Sequence, residues 1–449
     1  MRGLRSTIAL FVILIGLGAY IYFVTSKLPE GTAEAPKEKV FPALNSDAID
    51  EITVKSGAGD ATSVKKMDGV WQMTAPRALK ADSAELASIT SNLASLDVSR
   101  VVDENPTDLK DYGLDPPMVE ITFKASGDKA YAGERRLFIG GKSPTGGDVF
   151  AKRDADKRVL LVPGYLEPIF NRSTFNLRDK TLLVFDRDKI DRIAISAAGK
   201  ALEFAKDGGN WKITRPVAAT ADPVAVDAII GRLMTTAMKS IVTEQATPAD
   251  LAKYGFTKPQ ATATLSGGGM TASVVVGANA DADLYARDAA KPIVATVEAA
   301  LLKEFEKGPD DYRRKEIFAA RRFSTDRLEF SRDGQMTVLE RVKTAGEPDK
   351  WKRLSPTASE PDAMTVDDLL SRLESLRAVT YLDSAARTGL DKPALTVYAK
   401  FDDGKQEERV SFARSGDEVY ASVPGQPGAV TVAPMAFDEV IKALDVVAK

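Results

Sequence analysis

The segment Ile139–Gly147, IGGKSPTGG, contains the Gly-Lys-Ser of a phosphate-binding loop. A Walker loop also needs a glycine five positions before Gly141, where this chain has Arg136. The flanking residues read as two strands rather than a strand and a helix, so a hairpin turn is expected here. Asp281 and Asp283 offer oxygens suited to Ca²⁺, but no EF-hand spacing surrounds them and a hairpin tip accounts for both. Asp402-Asp403-Gly404 reads as a turn in the same way.

Other chemistry is narrowed by what the chain lacks. Cysteine and histidine are both absent from its 449 residues. That removes thiolate nucleophiles, disulfides, zinc–thiolate sites and the commonest general base, together with Ser-His-Asp catalysis. The 64 carboxylates leave room for an acid–nucleophile pair of the glycosidase kind, yet nothing in the sequence selects two of them. No catalytic residue, cofactor site or metal site is assigned, and no enzymatic turnover is expected.

The densest basic run is YRRKEIFAARR, with Arg313, Arg314, Lys315, Arg321 and Arg322. A second group, Arg178, Lys180, Arg187 and Lys189, lies earlier in the chain. Ion pairs between adjacent domains explain both. The functional alternative is a docking surface for an acidic partner or anionic headgroups, with Arg313, Arg314, Arg321 and Arg322 as its residues.

The elements that position these residues recur. Trp71, Trp211 and Trp351 are the only tryptophans, spaced 140 and 140 apart, each followed five residues later by proline. Asp82, Asp222 and Asp362 keep the same period and stand where a side-chain carboxylate caps a helix. Behind them, Leu86/Ile89/Leu93, Val226/Ile229/Leu233 and Val366/Leu369/Leu373 form one apolar stripe per helix. Gly113, Gly255 and Gly389 each precede a proline by four residues and end a helical turn, with Thr388 in the third copy replacing Tyr112 and Tyr254. Alternating strands lie before and after, among them those carrying Phe150, Tyr285 and Tyr420, spaced 135 and 135. The tryptophans are expected to fill cores beneath their helices.

A period this long gives each copy its own core. The expected fold is α+β: an N-terminal transmembrane helix, then three tandem repeats of an antiparallel sheet with a packed helix. The boundaries read as anchor 1–27, linker 28–40, and repeat domains 41–183, 184–319 and 320–449.

From Ile8 to Val24 the chain has no charge, enough for a helix of roughly 26 Å against a hydrocarbon core of about 30 Å. Ile8, Leu10, Phe11, Ile13, Leu14 and Leu17 form its apolar body, and Tyr20, Tyr22 and Phe23 suit the boundary with water. No small-x-small cleavage site follows, so an uncleaved anchor is expected. Arg2 and Arg5 hold the N-terminus in the cytoplasm and place the body outside, in the periplasm of a bacterium with two membranes. Arg2, Arg5 and Lys27 account for three positive charges, so the net −3 becomes −6 for the rest. An acidic body has no electrostatic footprint for nucleic acid.

The membrane segment, the copies of W-x-(I/M)-x-x-P, the A-D before each helix and DLxxYGLxxP together resemble a bacterial family of envelope proteins, domain of unknown function 4340. The segment LRDKTLLVFD, Leu177 to Asp186, is similar to that family's linking segment. The third copy departs, with Arg353 at the Ile/Met position and Pro361 before its Asp. The resemblance implies neighbours among ABC-type permeases and gliding-motility-type auxiliary proteins, and supplies no catalytic residues. The expected function is a membrane-anchored scaffold or auxiliary subunit with protein partners. A glycan-, lipid- or peptide-binding module is the alternative, and a carboxylate-based hydrolase a more distant one.

Overall fold

The computed structural model describes residues 37–449 except 145, 155, 345 and 347. The anchor residues Ile8 to Phe23 lie outside the described residues. Among those described, no helix is long and apolar enough to cross a membrane.

Three antiparallel sheets follow one another along the chain. The first comprises β1 (Glu51–Lys55), β2 (Ala61–Met67), β3 (Val70–Ala75), β4 (Leu79–Lys80), β5 (Arg100–Asp103), β6 (Val119–Lys124), β7 (Arg135–Lys142), β8 (Asp148–Arg153) and β9 (Val159–Pro163). Their order is β4-β3-β2-β1-β6-β7-β8-β9-β5. The second repeats that order with β10 (Arg192–Ala197), β11 (Lys200–Asp207), β12 (Asn210–Arg215), β13 (Ala219–Thr220), β14 (Ser240–Thr243), β15 (Ala261–Gly267), β16 (Met270–Ala280), β17 (Asp283–Asp288) and β18 (Val294–Glu298). The third has eight strands: β19 (Thr325–Arg332), β20 (Gln335–Val342), β21 (Lys350–Ser355), β22 (Ala378–Leu382), β23 (Leu395–Phe401), β24 (Gln406–Ser415), β25 (Glu418–Ser422) and β26 (Ala429–Val432). A single bridge, Arg353 to Ser359, stands where the other sheets have β4 and β13.

Strand alternation sets the register. Ile52 and Val54 pair across β1–β6 with Phe123 and Ile121, so all four share the inner face. Ile193 with Leu265 and Leu328 with Ala399 repeat the arrangement.

Each sheet carries a helix of 13 residues: α1 (Ser83–Ser95), α2 (Pro223–Thr235) and α3 (Ala363–Ser375). The aspartate before each one caps it. Asp82 Oδ1 accepts from the Ala84 and Glu85 N–H groups, Asp222 from Val224 and Ala225, and Asp362 from Met364. Leu86, Ile89 and Leu93 are buried on α1, and the stripes of α2 and α3 are buried likewise. A fourth helix, α4 (Pro434–Ala448), packs against α3.

The three sheets form two compact units, one ending at Lys180 and one running from Thr181 to Lys449. The second and third copies therefore fold as one body.

Candidate functional site

The residues first considered for chemistry lie in turns. Gly-Lys-Ser spans the end of β7 and the hairpin to β8, closed by Ser143 N–H donating to Asp148 C=O at 2.9 Å. Asp281 occupies the β16–β17 turn, and Asp283 pairs with Lys239 at 2.6 Å. Asp402, Asp403 and Gly404 all have positive φ in the β23–β24 turn, and Asp403 pairs with Lys343 at 2.8 Å. Among the described residues, no group of three or more carboxylates is placed to hold a metal ion.

Trp71, Trp211 and Trp351 are 6%, 8% and 3% exposed. Each indole also lies under a cation on its cross-strand partner: Lys66 at 5.2 Å, Lys206 at 5.1 Å and Arg341 at 4.8 Å. The rings are thus buried and overlaid by a cation, with little face left open to a ligand. Gly113, Gly255 and Gly389 take φ of 63°, 83° and 79°. In the first two copies the left-handed glycine follows a helical turn, Lys110–Tyr112 and Pro248–Lys253. Tyr112 packs edge-on to Phe150 at 5.1 Å, and Tyr254 against Tyr285 at 4.6 Å.

The basic run proves to be a junction. Arg313 is 2% exposed, which removes it from the proposed docking surface. Its guanidinium lies 4.8 Å from the centre of the Tyr381 ring and 3.3 Å from Asp310. An aromatic face and a carboxylate stand where solvent would otherwise surround this guanidinium. The Tyr381 hydroxyl donates to the Arg313 and Arg314 carbonyls at 3.3 and 3.1 Å. Burial pushes that phenol up to about 12, with the positive charge of Arg313 pulling the other way.

The backbone around Arg313 joins both copies. Asp222 N–H donates to Tyr312 C=O at 2.7 Å, and Arg314 N–H to Thr220 C=O at 3.0 Å. On the other side, Ala378 N–H donates to Lys315 C=O at 2.7 Å and Ile317 N–H to Leu376 C=O at 3.3 Å. Glu408, buried in β24, accepts from the Ala319 and Ala320 N–H groups at 2.9 and 2.7 Å. Sequence reasoning did not single out Glu408 or Tyr381.

Three of the four candidate docking arginines remain at least partly accessible. Arg314 Nε donates to Glu316 C=O at 3.3 Å and Arg321 Nη1 to Phe318 C=O at 3.0 Å. The Arg322 side chain reaches Asp367 only at 3.8 Å, and Phe323 beside it is 80% exposed. In the earlier cluster, Arg178 is buried, Lys180 pairs with Asp82 at 2.7 Å, Arg187 with Asp227 at 2.6 Å and Lys189 with Asp186 at 3.1 Å.

Two hollows open on the first copy. One, of about 260 Å³, lies on the outer face of its sheet and is lined by Thr53, Ser63, Thr74 and Thr122 beside Glu51, Lys65 and Lys124. Hydrogen bonds from Lys65 and Lys124 hold the Glu51 carboxyl below its ordinary range. The other, of about 450 Å³, borders the β8–β9 turn.

The family model described as a domain of unknown function, DUF4340, matches residues 71–210 and 211–393. The chain belongs to the DUF4340 family. Each match starts on a tryptophan of the repeat, Trp71 or Trp211. No curated protein matches this DUF4340 chain. Among solved structures, a DNA polymerase sliding clamp from Pseudomonas aeruginosa is 10% identical over 88% of this chain and 93% of that one, with a TM-score of 0.17. A second is a DnaN sliding clamp from the same organism bound to griselimycin, at 10% identity, 86% and 92% coverage and a TM-score of 0.15. Similarity at this level carries no information on function.

Proposed function

We propose that this DUF4340 protein is a membrane-anchored scaffold or auxiliary subunit, its body outside the cytoplasmic membrane and its partners the components of a membrane complex. The uncharged segment Ile8 to Val24, flanked by Arg2 and Arg5, supports attachment and orientation. Kinship with proteins encoded beside ABC-type permeases and gliding-motility-type components supports a transporter- or motility-related complex.

The observation that carries the reading is the junction of the second and third copies. Its conspicuous buried charge, Arg313, and its buried carboxylate, Glu408, serve to fix one copy against the next. Side chains that elsewhere perform chemistry are here holding backbone and rings, which suits a body whose product is a surface. The accessible residues Arg314, Arg321 and Arg322 are the docking candidates on that surface.

The test is affinity purification of the full chain from detergent-solubilised membranes with mass spectrometry. Integral membrane proteins recovered in fixed ratio, and lost when Arg314, Arg321 and Arg322 are changed to Glu, support the reading. Recovery unchanged by that charge reversal removes the assigned surface. A second reading, a glycan-binding module, has the hydroxyl-lined hollow of the first sheet in its favour. Chemical-shift changes confined to Thr53, Ser63 and Thr122 on titration with short glycans would establish it.

A further inference from the structure

The hollow on the outer face of the first sheet owes its shape to side-chain length. Across β2, β1 and β6 one row reads Ser63, Thr53 and Thr122, each opposite the next in the strand register. The Thr53 and Ser63 hydroxyls lie 2.8 Å apart, and Thr74 on β3 extends the row by donating to Ser63 C=O at 3.2 Å. Two residues along the strands, roughly 7 Å away, Lys65, Glu51 and Lys124 form a second row. Glu51 pairs with Lys65 at 2.6 Å and with Lys124 at 2.9 Å. Glu134 also lines the hollow and is held by Arg136 at 2.6 Å. The short hydroxyl side chains are its floor and the long charged ones its wall.

The same register places in the other copies are filled differently. In the second, Glu203, Ala194 and Thr264 replace the floor, and Glu203 pairs with Arg215 at 3.3 Å. Its wall is reduced to Arg192 between Ala205 and Ser266. In the third, Val338, Glu329 and Tyr398 replace the floor, and Leu354 stands for Thr74. Arg327 reaches there from the wall to the floor, pairing with Glu329 at 2.8 Å. The trough belongs to the first copy.

Its chemistry is that of a surface for hydroxyl groups. A hydroxyl donates once and accepts twice. The wall offers it ammonium donors and carboxylate acceptors in alternation, and the floor offers further hydroxyls. With Lys65 and Lys124 set against Glu51 and Glu134, the wall sums to no net charge. An anion would meet both carboxylates as well as both lysines and gain no complementary field. At about 260 Å³ the hollow is below the roughly 300–1,000 Å³ of pockets for drug-sized ligands, which suits a short stretch of a chain lying open to solvent.

We propose that this hollow binds a neutral saccharide laid across the strands, its hydroxyls bonding to the wall of Lys65, Glu51 and Lys124 and to the floor of Ser63, Thr53 and Thr122. The inference rests on the glycan-binding reading of the hollow and is independent of the scaffold reading. It adds the class of sugar and the reason the first copy alone takes it.

The test is calorimetric titration of the full-length chain, in a detergent without a sugar headgroup. The probes are tetramers of glucose, mannose and N-acetylglucosamine, with a galacturonate tetramer as the acidic comparison. The expected result is binding of a neutral tetramer in preference to the galacturonate. Ser63→Val with Thr74→Leu, the residues of the third copy at these places, should weaken that binding about ten-fold while the chain still melts cooperatively. Ser63→Glu, after Glu203, should do the same through a different side chain, and Thr214→Leu in the second copy should leave binding unchanged. Preference for the galacturonate, or neutral binding that both floor variants leave intact, overturns the inference and keeps glycan binding. No binding of any tetramer overturns both.

Discussion

The second and third copies place the same helix over the same strands, yet they treat the residue two after the tryptophan in opposite ways. Ile213 in the second is buried among apolar groups. Arg353 in the third is buried too, and its guanidinium donates to Thr357 C=O at 3.0 Å, Val447 C=O at 2.9 Å and Lys449 C=O at 3.3 Å. Two of those carbonyls belong to the end of α4, where the helix dipole favours a cation. The charge is tolerated because unpaired helix carbonyls are there to receive it. A repeated core thus changes where its surroundings change, and keeps its tryptophan where they do not.

A second difference between the copies involves two residues at once. In the second copy Tyr254 ends a helical turn whose carbonyl lies so near Gly277 that a Cβ there would be 2.2 Å from it. Gly140 stands in the same relation to Tyr112 in the first copy, at 2.3 Å. In the third copy the tyrosine is Thr388, whose hydroxyl donates to Ala385 C=O at 2.6 Å, and the glycine is Ala413. Losing the tyrosine turn makes room for a methyl group. The substitution that looked isolated in the sequence is one half of a pair.

These differences can be broken one at a time. The largest effect should come from what the copies share: Trp211→Ala or Trp351→Ala should each cost about 3–5 kcal/mol, read by denaturant unfolding. Because the two copies form one unit, hydrogen exchange should rise in both sheets of that unit for either variant.

Next comes the exchange of position two after the tryptophan. Ile213→Arg buries a charge with no helix end to receive it and should cost on the order of 3 kcal/mol. Arg353→Met should cost about 1–2 kcal/mol, with faster amide exchange confined to the last turn of α4. Equal losses would mean that the carbonyl partners of Arg353 are unimportant.

The corner pair gives a smaller contrast. Gly277→Ala should lose about 2 kcal/mol through the clash with the Tyr254 carbonyl, and Ala413→Gly only about 0.5–1 kcal/mol through backbone entropy. A thermal melt of each variant distinguishes the two.

The smallest effect concerns acid. Asp156, which corresponds to Gln426 of the third copy, is held down to about 2, first by its side-chain hydrogen bond from Arg158 and against the opposing pull of burial. A carboxyl lowered in the folded state stabilises it above the unfolded value near 4 and loses that contribution as pH falls toward 2. Asp156→Asn should therefore reduce the fall in the melting temperature of the first unit between pH 5 and pH 2.5. The same change at Gln426, to Asn, should leave the acid response of the second unit as it was.

The helices were legible in the sequence because two independent signals coincide there, a capping aspartate and an apolar stripe in phase with it. The order of strands was not legible, since alternation in β1 or β10 fixes a face and not a neighbour. The basic run was misread at Arg313 because a charge flanked by charges reads as surface, and its aromatic partner Tyr381 lies 68 residues away. One signal did point to its burial: Arg178 holds the corresponding place 135 residues earlier, and both are buried. Glu408 gave no signal, because the backbone groups it satisfies carry no mark in the sequence. Arg353 was visible as a departure, but the carbonyls that explain it belong to residues nearly a hundred positions on.

The central claim is that this protein acts through contacts made beside a membrane. It is tested most directly by replacing Ile8 to Val24 with a cleavable signal peptide and measuring partner recovered per chain at normal expression. The account predicts a body with unchanged circular dichroism and a melting curve like that of the anchored chain, but with the membrane partners lost, because tethering supplies the local concentration that weak interfaces require. An unanchored body that retains its partners in full, or that acts alone on a small molecule, would contradict it.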